Sequence, residues 1–177
     1  MLLDLIYLTL LASVHAFHPP AITTDTVEIQ HDPTIGHFIQ RDVGQDIRLT
    51  CSDITNEAVE FAFPNLTDNR GYSEEDFRSR YTIEDLVYGH TLHIRDLKES
   101  DTGTYKCHSK DDPTLSSEIH IFVRGAGAFV PTLFEGLVVS ESEFVVPCKS
   151  SRHVLKDEVE LRANGKVWKS ASKFYDP

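Results

Sequence analysis

Gly44-Gln45-Asp46-Ile47-Arg48-Leu49-Thr50-Cys51 and Asp101-Thr102-Gly103-Thr104-Tyr105-Lys106-Cys107 are the two stretches whose reading decides the fold. In the first, Ile47, Leu49 and Cys51 alternate with Asp46, Arg48 and Thr50, the period-2 pattern of a strand with one buried and one wet face. In the second, Tyr105 and Cys107 share a parity, and Asp101 with Gly103 supplies turn chemistry just ahead of the strand.

Taken together the two stretches resemble the B and F strands of an immunoglobulin domain, which implies an all-β sandwich and an extracellular binding module. The resemblance implies a bridge between Cys51 and Cys107, placed on the inner faces of facing sheets. It also implies a tyrosine corner, in which the Tyr105 hydroxyl bonds back to the chain near the turn formed by Asp101 and Gly103. Arg80-Tyr81-Thr82-Ile83 fits a strand D opened by an arginine, so Arg80 is expected to pair with Asp101 in a structural role. Val59, Phe61 and Phe63 fall where strand C is due, with Phe61 standing in for the core tryptophan that this region lacks.

The amino terminus agrees on compartment. Residues 5–14 are largely apolar, too short a run for a bilayer that needs about 20 residues. They end in Val14-His15-Ala16, with small residues at −3 and −1 of a cleavage site, so residues 1–16 are expected to be a signal peptide. Asp4 and the lack of Lys or Arg depart from the usual leader. The formal charge of −11, with 17 basic residues scattered along the chain, argues against nucleic acid and anionic membrane as partners.

Past the leader, 161 residues remain (177 less 16), more than one immunoglobulin domain of about 100 and too few for two. Glu143-Phe144-Val145-Val146-Pro147-Cys148 repeats the alternation of a B strand, with Phe144, Val146 and Cys148 on one face. Val159 and Leu161 fit a following strand, and Asn164-Gly165 is a hairpin signal leading into Lys166-Val167-Trp168. The expected organisation is an immunoglobulin-like domain at 17–124, a short hinge at 125–134, and the amino-terminal half of a second such domain at 135–177. Truncation of that second domain would leave Cys148 unpaired.

A closer resemblance rests on Ile119-His120-Ile121-Phe122-Val123, a spacer with Phe134, then Phe144-Val145-Val146-Pro147-Cys148-Lys149, Glu158-Val159-Glu160-Leu161 and Tyr175-Asp176-Pro177. Their order and spacing look like the junction of the first two immunoglobulin domains in receptor tyrosine kinases of the platelet-derived and vascular endothelial growth factor receptor family. That likeness implies an ectodomain segment that helps capture a dimeric cystine-knot growth factor and contributes to receptor dimerisation. The membrane would be met only through regions beyond this chain. The rival readings are an adhesion or guidance protein of the same superfamily, or a soluble decoy.

Other chemistry is thin. His90 and His93 fall on opposite faces of one strand, so no metal site is expected, and no cofactor motif is present. Gly125-Ala126-Gly127-Ala128 lacks the third glycine of a phosphate loop and reads as the hinge. No catalytic signature occurs, so no enzyme is expected in this chain. Asn65-Leu66-Thr67 is a glycosylation sequon at Asn65, and Glu74-Glu75-Asp76 reads as a solvated loop.

Overall fold

The computed structural model describes residues 18–64, 74–131, 148–153, 161–163 and 165–168. The leader with its cleavage site after Ala16, the Asn65 sequon, Phe134, Phe144, Val146, Val159 and the terminal Tyr175-Asp176-Pro177 lie outside the described residues.

Two sheets face each other. One has four strands in the order β1 (Ala21–Thr23), β4 (Ile47–Ser52), β7 (Gly89–Ile94), β6 (Tyr81–Leu86), with every neighbouring pair antiparallel. The other runs β2 (Gln30–Asp32), β3 (Gly36–Asp42), β9 (Ser116–Arg124), β8 (Gly103–Ser109), β5 (Val59–Ala62). All its pairs are antiparallel except β3 with β9, which are parallel from Phe38↔His120 to Asp42↔Arg124. The amino-terminal segment is thus shared, β1 completing one sheet and β3 the other. This is the strand arrangement of an immunoglobulin sandwich.

The alternation expected of β4 is present: Ile47, Leu49 and Cys51 are fully buried, while Arg48 is exposed. Facing them are Tyr105 and Cys107 of β8, Phe61 of β5, and Ile119, Ile121 and Val123 of β9. Burying these side chains is the main favourable term in holding the sheets together, at about 25 cal/mol per Å² of apolar surface. Gly103 admits no side chain because a Cβ there would fall 2.7 Å from the Pro64 ring.

The stretch before β6 departs from expectation. Residues Glu74–Arg80 form a short helix, α1, so Arg80 closes a helix and strand D begins at Tyr81. Acidic Glu74, Glu75 and Asp76 occupy its first turn and Arg78 and Arg80 its last, complementing the helix dipole. Phe77 anchors it inward, its ring 4.5 Å from Tyr81 and 5.9 Å from Phe63.

Beyond β9, the strand β10 (Phe129–Pro131) pairs antiparallel with β11 (Cys148–Ser150). A paired strand therefore begins within the span read as hinge. A separate hairpin joins β12 (Leu161–Ala163) to β13 (Lys166–Trp168), its register leaving two residues between Ala163 and Lys166, with Gly165 at φ +74°.

Candidate functional site

Cys51 and Cys107 are disulfide-bonded across the core, their Cα atoms 5.6 Å apart. At the opposite end of β8, the 3-10 turn Glu99–Asp101 carries a buried polar hub. Asp101 is fully buried and accepts two bonds from Arg80, Nη1 to Oδ2 at 2.6 Å and Nη2 to Oδ1 at 3.0 Å. The Tyr81 hydroxyl donates to Oδ1 at 2.8 Å and the Lys98 amide to Oδ2 at 2.8 Å. The Tyr105 hydroxyl donates to the Asp101 carbonyl oxygen at 2.9 Å. Through its carboxylate and its main-chain carbonyl, Asp101 thus joins helix, turn and both sheets.

Asp76, read from sequence as part of a solvated loop, belongs to this hub. Its side chain is 21% exposed and sits between Arg80 at 2.9 Å and Lys98 at 2.5 Å. Glu74, four residues before Arg78, and Glu75 are the solvated members of that run. Burial works to raise the Asp76 carboxyl, but bonds from Lys98 and Arg80 hold it below the usual carboxylate range. Burial likewise works against the Arg80 charge, and the Asp101 and Asp76 carboxylates more than reverse it, so the guanidinium stays ionised. Burial keeps the Tyr81 hydroxyl protonated. Asp76, Lys98 and Tyr81 escaped the sequence reading. The Asp76-to-Arg80 spacing of four was the available signal, but only a helix gives it meaning.

His90 and His93 are not brought together. His90 Nδ1 lies 2.9 Å from Asp85, and His93 Nε2 lies 3.4 Å from Asp46. With its side chain only 14% exposed, His93 is tucked against the sheet rather than pointing to solvent. Among the described residues no group of three or more His, Cys, Asp or Glu is arranged to hold a metal. Cys148 is free and exposed, not inward-facing.

The outer face of the five-stranded sheet holds a depression of about 380 Å³, with the Lys106–Glu118 ion pair, Thr104 and His120 in its wall. His120 is 7% exposed, with Nδ1 3.0 Å from the Thr104 hydroxyl oxygen and its ring 4.5 Å from that of Phe122. Burial, aided by the Lys149 charge, pushes its pKa down to about 4. Between about pH 6.5 and 4 the unfolded chain binds this proton and the folded chain does not, so stability present above 6.5 is lost as pH falls. The loss should total roughly 3 kcal/mol. Urea unfolding across that window should show it, and His120→Gln should flatten the slope; an equally steep slope in that variant would remove His120 as the cause.

No protein-family model matches the chain. It is 34% identical over 173 residues to the tyrosine-protein kinase receptor ver-3 of Caenorhabditis elegans, covering 94% of this chain and 14% of that receptor. It is also 29% identical over 138 residues to the macrophage colony-stimulating factor 1 receptor of Mus musculus, covering 76% of this chain and 13% of that one. The chain is homologous to receptor tyrosine kinase ectodomains. This ectodomain segment spans about one-seventh of the length of either relative and carries no kinase domain. Its relatives point to an extracellular or cell-surface location, and among the described residues no helix is long and apolar enough to cross a membrane. Similar solved structures include the first immunoglobulin domain of the mouse polymeric immunoglobulin receptor, at TM-score 0.41 and 16% identity, covering 62% of this chain and 97% of that one. Another is the first immunoglobulin domain of Dpr1 bound to that of DIP-eta, at TM-score 0.38 and 23% identity, covering 59% of this chain and 96% of that one.

Proposed function

We propose that this chain is the outer binding segment of a growth-factor receptor tyrosine kinase, contributing to capture of a dimeric protein growth factor and to receptor dimerisation. The observation that carries the proposal is the 34% identity to a tyrosine-protein kinase receptor, spread over 94% of the chain and so over both the sandwich and the strands beyond it. A cystine-knot factor of the platelet-derived or vascular endothelial type is the ligand class implied by the junction motifs. The mouse relative is by name a receptor for a colony-stimulating factor, which makes that factor the natural competitor in a test.

In this reading residues 125–134 link the first immunoglobulin domain, 17–124, to the start of a second, 135–177. Most ligand contacts then fall on the second and third domains. Three secreted fragments separate the outcomes: residues 17–124, residues 17–177, and the chain continued through complete second and third domains. The expected result is capture of a cystine-knot growth factor by the longest fragment and little by 17–124. Tight binding by 17–124 would move the ligand surface to the first sandwich. Capture of a colony-stimulating factor alone would replace the ligand class, and failure of the longest fragment to bind either would sink the receptor reading.

A further inference from the structure

From Ile119 to Val123, strand β9 is buried on both faces. Its odd positions Ile119, Ile121 and Val123 fill the core, yet the even positions His120 and Phe122, on the outer face of the sheet, are only 7% and 1% exposed. Phe38 of the adjoining β3, on the same outer face, is 4% exposed and meets Phe122 edge-on at 5.7 Å. An apolar aromatic patch on the outside of a sandwich is unusual unless something covers it.

The cover is the chain itself. The imidazole of His153 stacks on Phe38 with centroids 4.7 Å apart and planes at 15°, and lies 6.0 Å from Phe122. Its backbone N–H donates to Gln40 Oε1 at 3.1 Å and its Nε2 lies 3.3 Å from Asp32 Oδ2, so both neighbouring strands hold it. Four residues earlier, the Lys149 ammonium crosses to the 3-10 turn, donating to the Ser100 carbonyl oxygen at 3.1 Å and to the Thr102 carbonyl oxygen. Burial pushes the Lys149 pKa down to about 8 against the opposing pull of Asp101. A third tie comes from the same turn: Glu99 Oε1 accepts the Gly127 N–H at 3.2 Å, lying where a Cβ on Gly125 would stand.

We propose that the aromatic face of β3 and β9, together with the turn at residues 98–102, is a docking seat for the β10–β11 strand pair, with Lys149 as its positioning residue. The turn then has two sides. Its inner side is the Asp101 hub that binds the two sheets, and its outer side grips the following strands through Ser100, Thr102 and Glu99. The direction in which the chain leaves the first sandwich is fixed by the same turn that locks the sandwich, with no swivel at Gly125 and Gly127. The seat is independent of which ligand the protein binds.

The test is amide hydrogen exchange and nuclear Overhauser contacts on the whole chain, comparing wild type with Lys149→Met and Gly125→Ala. The second variant displaces the Glu99 carboxylate, a flexible chain end, and so spares the core. Expected are a loss of about tenfold in protection at the His153 and Gly127 amides, the size of one lost hydrogen bond, and loss of the contact between the His153 and Phe38 rings. Protection of the Leu49 and Tyr105 amides should not change, and Lys149→Arg should recover most of the docking. Unchanged protection at His153 in Lys149→Met would overturn the proposal. A uniform fall that includes Leu49 would do so too, since it would show that Lys149 acts on the fold and not on the seat.

Discussion

Replacing both Cys51 and Cys107 by alanine should lower the unfolding free energy of the first sandwich by about 4 kcal/mol. The bridge closes a span of 56 residues, and the chain-entropy treatment of a loop that long gives roughly this figure. Domains of this kind have only about 5–15 kcal/mol in total, so the variant sits near the edge of folding. The bond also ties the sheets at mid-core, where Cys51 pairs with Ile22 and His90 while Cys107 pairs with Phe61 and Ser117. Urea unfolding measures the effect as a fall in midpoint. A loss below about 1 kcal/mol, the size of an ordinary single contact, would mean that the hydrophobic face alone holds the sheets.

Arg80→Ala should cost a comparable amount, about 3–5 kcal/mol. The side chain is 7% exposed and its partner Asp101 is fully buried, so deletion strands a carboxylate where water cannot reach it. Asp76 also loses one of its two cations, though Lys98 remains at 2.5 Å. Asp101→Asn should cost less than Arg80→Ala, because the amide oxygen still accepts from Tyr81 and the Tyr105 bond goes to the main chain. A double-mutant cycle over Arg80 and Asp101 should give a coupling above about 1 kcal/mol. Additive effects would show that each residue acts through other partners.

Much of the sandwich was legible because its signals are local. The alternation of Ile47, Leu49 and Cys51 needs only the pleat of a strand to predict which side is buried. The Asp101-Gly103-Tyr105-Cys107 stretch encodes its own turn and the inward parity of the strand that leaves it. The hairpin around Asn164 and Gly165 is equally local, and its register leaves the expected two residues.

The helix at Glu74–Arg80 was not legible, since seven residues give less than two turns of any periodic pattern. Its acidic residues looked solvated because nothing in the sequence distinguishes Glu74, which is, from Asp76, which is not. Only the arrival of Lys98 and Arg80 on one carboxylate makes that distinction. Likewise Ile119-His120-Ile121-Phe122-Val123 advertises a buried strand but not the groups that cover its second face.

By itself, then, the sequence determined the buried faces of β4 and β8 and the turn before β8, because each is written in the parity and spacing of neighbouring residues, while the sandwich and its Cys51–Cys107 bridge followed from the resemblance those stretches carry. The tertiary structure alone decided that Asp76, Tyr81 and Lys98 join the Asp101 hub, and that Lys149 and His153 seat the following strands on the aromatic face of β3 and β9. Lys149 reaches a turn 47 positions earlier in the chain, and His153 meets Gln40 across 113. Contacts that distant carry no local pattern. They arise because folding brings a cation to main-chain carbonyls and an imidazole to an apolar face that would otherwise stay wet.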